Sequence, residues 1–188
     1  MSLVEFEIHG DIALIRLNRP ELRNAVNMAL TTELRAALVR LETDDSLKVA
    51  ILTGAGRVFC AGMDLGAFAA GELPGIVDPD HFAGFVSARR SKPIIAAVNG
   101  AAVAGGFEMV LACDMVIAEA GAVFALPEVK RGIVAAGGGA YRMPRRLPSA
   151  IANEMLLTGD PISAERALAL GLVNAVVPGS DLIAEAMS

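Results

Sequence analysis

One glutamate stands where the sequence offers little to neutralise it. Glu108 lies inside "AVAGGFEMVLACD", Ala102 to Asp114, a run that otherwise reads as buried, and no Lys or Arg occurs between Pro93 and Val129. Burying an unpaired carboxylate is costly and drives the group toward its neutral form. Gly105 and Gly106 precede it, and an apolar helix opening on glycines leaves free backbone N–H groups at its start. Those donors, with the helix dipole behind them, can stabilise an oxyanion. A first-turn Glu caught between dipole and burial is suited to act as a base near neutral pH. The competing reading is that the glycines serve helix–strand packing while Glu108 caps the helix or faces solvent. Spacing alone does not separate the two.

Glu128, in "ALPEVKRGIVAAGGG", lies twenty residues further on. The helix, strand and turn expected between the two acids can fold them together. Two carboxylates at one site have their pKa values pushed apart, which suits one acid and one base. Taken alone, Glu128 is better read as a solvated loop residue paired with Lys130 or Arg131. The third stretch is "ILTGAGRVFCAGMDL", Ile51 to Leu65. Its Gly54-Ala55-Gly56 invites a dinucleotide reading, but the third glycine position is Phe59 and no acid is placed for a ribose. A plain turn out of a strand is the bland account. The sharper one is that small residues around Gly62, in Cys60-Ala61-Gly62-Met63, let the backbone approach a ligand and expose an N–H. His9 and His81 stand apart, so no metal cluster or Ser-His triad is readable, and no G-x-S-x-G occurs. Arg145-Arg146 reads as a solvated turn.

The elements that must position these residues alternate. "VEFEIHGDIALIRLNRP" reads as two strands joined by a tight turn and ended by Pro20. "NMALTTELRAALVRLE" is an amphipathic helix with Asn27 as N-cap, and "KVAILTG", Lys48 to Gly54, is a short strand. The first ~55 residues thus read β-β-α-β. Gly66 to Asp80 is a Gly/Pro/acid-rich loop of a length that often forms a lid or binding loop. Next come a strand at Ile94 to Val98, a helix at "GGFEMVLAC", a strand at "DMVIA", and an extended piece at "AVFAL". A Gly-rich turn runs into a short helix at "AAGGGAYRMPRRLP". "SAIANEMLLTG" is a helix ended by Gly159, and "SAERALALG" one with Ser163 as N-cap and Gly171 past its end. "LVNAVV" is a closing strand, and "SDLIAEAMS" begins another helix. The class is α/β, in one domain over 1–188.

Composition narrows the function classes. With 188 residues, 54% hydrophobic, the chain has length for a sizeable core. No Trp, one Tyr and a net charge of −5 argue against a nucleic-acid or anionic-membrane partner. Ile94 to Ala118 is the one membrane suspect, but a spanning helix there would bury Glu108, Asp114 and several glycines. Cys60 and Cys113 form neither a CxxC pair nor a disulfide framework, which points to a reducing cytoplasm. The acid-bearing start "MSLVEFEIHGD" does not read as a signal peptide.

Taken in order, "LNRPELRNAVN", "ILTGAGRVFCAGMDL", "AAVNGAAVAGGFEMVLACDMVIA", "FALPEVKRGIVAAGGGAYRMPRRLP" and "LLTGDPISAERALALGLVNAVV" resemble the enoyl-CoA hydratase/isomerase, or crotonase, superfamily over nearly the whole chain. Within it the sequence is most similar to hydratases of the enoyl-CoA and crotonobetainyl-CoA type. The resemblance implies a spiral of repeated β-β-α turns, the ClpP/crotonase fold, with acyl-CoA lying across it. It implies homotrimers or hexamers (dimers of trimers), and C-terminal helices beyond residue 188 that cover the site. It implies Glu108 and Glu128 as catalytic acids, the backbone N–H groups of Met63 and Gly105 as the oxyanion hole, and Arg23, Ala25, Ala61, Asp64 and Leu65 as CoA contacts. The implied reaction is reversible addition of water to trans-2-enoyl-CoA, giving 3-hydroxyacyl-CoA. No metal or other cofactor is implied, since CoA arrives with the substrate. Ala135-Ala136, where many hydratases carry Pro-Gly, bears on acyl specificity. The alternatives are isomerase, hydrolase or decarboxylase chemistry on the same scaffold, or a non-catalytic acyl-CoA-binding subunit.

Overall fold

The computed structural model describes residues 2–73 and 80–188. β1 (Val4–His9) and β2 (Ile12–Leu17) form an antiparallel hairpin whose register runs from Val4↔Leu17 to His9↔Ile12. Pro20 opens a 3-10 turn, Pro20–Leu22. α1 (Met28–Thr43) starts where Asn27 accepts the Leu30 N–H at 2.9 Å, and it buries Leu30, Leu34, Leu38 and Leu41. β3 (Val49–Gly54) then pairs parallel to β2, completing the expected β-β-α-β opening.

From β3 onward the chain takes one path three times. A strand joins a large sheet, the next strand joins a small one, and a helix or turn comes after. β3 leads to β4 (Val58–Cys60) and α2 (Leu65–Ala69). β5 (Ile94–Val98) leads to β6 (Ala101–Val103) and α3 (Gly105–Ala112). β7 (Met115–Glu119) leads to β8 (Val123–Ala125), a 3-10 turn over Pro127–Arg131, and α4 (Gly139–Arg146). α5 (Ser149–Thr158), β9 (Ile162–Ser163), α6 (Ala164–Ala169), β10 (Ala175–Val177) and α7 (Leu182–Ala186) complete the described chain. The large sheet has the order β1-β2-β3-β5-β7-β10 and the small one β4-β6-β8-β9. This repeated strand–strand–helix path is the α/β spiral that the resemblance implies.

Side chains alternate across the large sheet, so β3 sends Ala50 and Leu52 into the main core and Ile51 to the other face. There Leu182 and Ala186 of α7 cover Leu14, Ile51, Ala97 and Ile117. Both faces are covered, which is why β3 and β5 read as continuous apolar runs. Phe59, Phe107 and Phe124 are fully buried in the main core, the last two with ring centroids 5.4 Å apart.

Ile94 to Ala118 is built from short pieces, as expected: β5, β6, α3 and β7, and no helix among the described residues is long and apolar enough to cross a membrane. Other expectations need correction. The loop expected over Gly66 to Asp80 begins as helix, because the Asp64 carboxylate caps α2 by accepting the N–H groups of Gly66 and Ala67. Residues 74–79 of that stretch lie outside the described residues. Gly54-Ala55-Gly56 leads into strand β4, not a helix, so the dinucleotide reading fails. Arg145 and Arg146 form the last turn of α4, where Arg146 donates to the carbonyl oxygens of Cys113 and Asp114. Of "LVNAVV", only Ala175–Val177 is strand.

One buried polar residue joins the first quarter of the chain to the small sheet. Asn24 is fully buried at φ 55°, and its Nδ2 lies 3.0, 2.7 and 3.1 Å from the carbonyl oxygens of Ala55, Val58 and Phe59. Its Oδ1 accepts the Arg19 N–H at 2.9 Å. Asn24→Ala leaves those buried groups unmatched. We expect it to lower the unfolding free energy by about 2–4 kcal/mol, read as a lower urea midpoint at unchanged m-value.

Candidate active site

The small sheet sets the site. β4, β6 and β8 are neighbours and parallel, with Val58↔Ala101 and Cys60↔Ala102 on one side and Ala101↔Val123 through Val103↔Ala125 on the other. Parallel neighbours lie ~4.8 Å apart and end on the same edge. The segments leaving the three strands therefore converge there: residues 61–64 after β4, the start of α3 after β6, and Glu128 after β8.

The loop after β4 is held by backbone bonds. Ala61 N–H donates to the Arg23 carbonyl (3.0 Å), Val26 N–H to the Gly62 carbonyl (2.8 Å), and Asp64 N–H to the Val26 carbonyl (2.9 Å). Gly62 and Asp64 thus both face Val26, so the intervening Met63 N–H points away from that pairing. Gly62 has φ 89°, and a Cβ on it would stand 3.1 Å from the Gly105 nitrogen. This close approach brings the loop against the start of α3. Ala104, the residue before α3, has φ 52° and ψ −126°, a strained conformation for a residue with a side chain. The first helical N–H to find an acceptor within this turn is that of Glu108, which donates to the Ala104 carbonyl at 3.0 Å. The Gly105 N–H precedes it, at the positive end of the dipole. Met63 and Gly105 thus offer two backbone donors on adjoining segments, the arrangement an oxyanion hole requires.

Both acids are buried: Glu108 is 3% and Glu128 8% exposed. The solvated reading of Glu128 fails, since Lys130 pairs with Asp160 instead, at 2.6 Å. Burial pushes the Glu108 carboxyl up to about 7. The Gly139 N–H, donating to Oε1 at 2.8 Å, pulls it back, and the nearby Glu128 carboxylate raises it further. Burial likewise raises Glu128, whose Oε2 has no hydrogen-bond partner. Burial raises both carboxyls, Glu108 the more strongly, and their mutual repulsion favours a state in which the pair holds one proton. The arrangement can therefore hold one base and one acid beside two oxyanion donors.

The other expected site residues lie in the loop after β4, at the start of α2, or in residues 23–26, which pair with that loop. Arg23 is exposed at φ 53°, Ala25 is buried, Ala61 is half-buried, and Leu65 is exposed at the start of α2. Asp64 is placed with them, but its side chain is engaged: Oδ2 meets Arg19 at 2.6 Å while Oδ1 caps α2. These contacts, the Ala67 N–H first and the Arg19 guanidinium next, hold its carboxyl below its ordinary value. Sequence reasoning missed Arg19, the Gly139 donor, Phe82 and Arg142. The triple glycine before α4 was the one visible signal, and Phe82 packs its ring so close to Gly105 that a Cβ there would overlap it. Cys60 and Cys113 are free, buried thiols pushed up to about 12 by burial, so neither is a nucleophile. Among the described residues no cluster of acids, histidines and cysteines could hold a metal ion.

Comparison with known proteins gives a consistent set. The sequence model of the enoyl-CoA hydratase/isomerase family matches residues 7–188. Carnitinyl-CoA dehydratase from Proteus mirabilis is 47% identical over 180 residues, which span 93% of this chain and 67% of the relative. The dehydratase of the same name from Escherichia coli is 46% identical over 178 residues, 93% of this chain and 68% of the relative. The crystal structure of an enoyl-CoA hydratase from Mycobacterium tuberculosis superposes with a TM-score of 0.95 at 48% identity, over 100% of this chain and 73% of that one. A carnitinyl-CoA hydratase from Mycobacterium avium gives a TM-score of 0.95 at 44% identity with the same coverage, 100% and 73%.

The burial of Glu108 has a measurable cost. Its folded pKa of about 7 lies above the 4.5 of an ordinary Glu. Between those values the folded state holds a proton that the unfolded state has released, so stability falls as pH rises through this window. Glu108→Gln removes the penalty and keeps an acceptor for Gly139. Urea unfolding at pH 8 is expected to show the variant more stable than the parent, by up to about 3 kcal/mol, with little difference at pH 4.

Proposed function

The chain belongs to the enoyl-CoA hydratase/isomerase family, and on that premise we propose that it is an enoyl-CoA hydratase, adding water reversibly across the 2,3 double bond of a trans-2-enoyl-CoA. One observation carries the reading: two buried carboxylates lie on the segments that leave neighbouring strands, beside two backbone donors, Met63 and Gly105, that have no acceptor among the described residues. A double-bond isomerase needs one acid to move one proton. Water addition needs a base for the water and an acid for carbon, and both are present.

In the hydration direction, ionised Glu108 takes a proton from water as the oxygen bonds to C3. The C2–C3 π electrons move toward the thioester, and the enolate oxygen rests on the Met63 and Gly105 N–H groups. Protonated Glu128 then gives its proton to C2 and the thioester reforms. One proton enters Glu108 and one leaves Glu128, so the pair resets by a single transfer through solvent. Each oxyanion donor is worth roughly 3–4 kcal/mol of barrier. These groups account for every proton and charge, and the reading asks for no metal or redox cofactor. Arg23 is the natural partner for a CoA phosphate, while Ala25, Ala61, Asp64 and Leu65 offer it surface beside the oxyanion loop. The same reading places the enzyme in the cytoplasm, in keeping with its free thiols.

We also read the protein as a homotrimer or a dimer of trimers. Val129, Ile133, Val134 and Leu157 are exposed apolar side chains around the turn that carries Glu128. Such a patch supports burial against another copy.

With crotonyl-CoA, Glu108→Gln and Glu128→Gln are each expected to lower kcat by about 10²–10⁴-fold, with KM changed far less. Unaltered hydration in either variant would end the assignment. Because Glu108 must be ionised, kcat/KM of the parent is expected to fall as pH drops below about 7. A protein that binds CoA tightly yet turns over no thioester would instead be a binding subunit.

A further inference from the structure

Arg142 has no place in the chemistry above, yet its guanidinium spans both walls of the site. Nη1 donates to the Gly137 carbonyl at 3.0 Å, and Nη2 donates to the Val86 carbonyl. Gly137 opens the loop whose Gly139 N–H holds Glu108. Val86 lies just past the 3-10 turn Phe82–Gly84, whose Phe82 ring packs on Gly105. One side chain thus joins the loop behind the base to the segment behind an oxyanion donor.

The glycines of this loop are shaped around that contact. A Cβ on Gly137 would overlap the Glu108 carboxylate, and one on Gly138, at φ 114°, would overlap Arg142 Nη1. A Cβ on Gly139 would stand 3.1 Å from Glu108 Oε1 and 2.7 Å from Leu126 Cδ1. Arg142 is half-buried, lies 4.7 Å from the Tyr141 ring centre, and has no acid within ion-pair distance among the described residues. A guanidinium satisfied by carbonyls keeps its full positive charge, and the two charged groups that act on Glu108 are Glu128, which opposes its ionisation, and Arg142, which favours it.

We propose that Arg142 is a positioning residue for the reaction: it locks the Gly137–Gly139 loop onto Glu108, so that the Gly139 N–H stays on that carboxylate, and it couples the loop to the wall behind Gly105. The inference rests on the reading of Glu108 as the base, and its test separates the two.

Infrared difference titration of the protein without substrate tracks the protonated Glu108 carboxyl, identified by its loss in Glu108→Gln. Arg142→Met is expected to move that titration upward by about half a unit to one unit. It is expected to lower kcat at pH 7 about tenfold or more with a smaller change in KM, and part of the lost rate should return at pH 9. Arg142→Lys keeps the charge but lacks the fork that reaches both carbonyls. Its titration should move the same way, and kcat should remain depressed at all pH values. An unmoved titration and acid limb in folded Arg142→Met overturns the lock on the loop, and parental kcat in Arg142→Lys overturns the bridge. If Arg142→Met does not fold, Arg142→Gln replaces it and is read the same way. Full activity in Glu108→Gln would sink the base assignment, whereas the titration still reports whether Arg142 governs that carboxyl.

Discussion

Everything functional in this chain depends on three short strands ending together. β4, β6 and β8 contribute three residues each, too few to be stable alone, and they persist because each follows a longer strand of the large sheet through a short turn. Parallel pairing makes them point one way. The Met63 donor, the Gly105 donor with Glu108, and Glu128 then arise from successive turns of the spiral and meet at one edge. A one-residue slip in any pairing would turn that strand's side chains to the opposite face and carry its functional group with it. The packing of Phe59, Phe107 and Phe124 in the shared core guards the register.

The electrostatics stem from the same placement. α3 is short, and it is flanked by complementary groups. Its first turn offers the Gly105 N–H to a developing negative charge. At its other end, Arg90 donates to the Ala112 carbonyl and Arg146 to that of Cys113. Cations at the C-terminus and an oxyanion at the N-terminus both favour the helix dipole. Against this, the acids are held where water is scarce, and a buried carboxyl pushed up to about 7 opposes folding once it ionises. On the proposed reading, a site suited to proton transfer near neutrality is thus a place where stability is given up for function.

Much of this was legible from residues alone. The Asn27 and Ser163 caps, the Gly159 terminator, the hairpin and α3 are local signals, and each element stands where those signals put it. Glu108 was legible because an acid in an apolar run is an anomaly whatever surrounds it. β4 and β6 were not, since three residues carry no periodicity. Nor was Glu128 as a buried group: Lys130 and Arg131 beside it suggest a solvated pair, and only the fold sends Lys130 to Asp160. The absence of Lys and Arg from Pro93 to Val129 was a true observation with a limited reach. The basic group acting on Glu108 is Arg142, brought from α4 by tertiary folding.

The loop over residues 61–64, the oxyanion loop of the proposed reading, shows how a backbone donor can be made rigid without a regular element. Residues 61–64 belong to no strand or helix, yet nearly every polar group near them is engaged. Asn24 binds the carbonyls of the residues leading into the loop. Its own carbonyl accepts the Cys60 thiol at 3.1 Å, and that sulfur receives the Gly62 N–H at 3.4 Å. A thiol pushed up to about 12 stays neutral and remains a donor. Arg19 pins Asp64 at the far end while also donating to the Ala25 carbonyl at 3.0 Å. Against this background the Met63 N–H, which turns away from the Val26 pairing, has no acceptor among the described residues. A donor held in place before the substrate arrives costs no reorganisation when charge develops on it. The loop's many bonds therefore matter chiefly for the one they leave unmade.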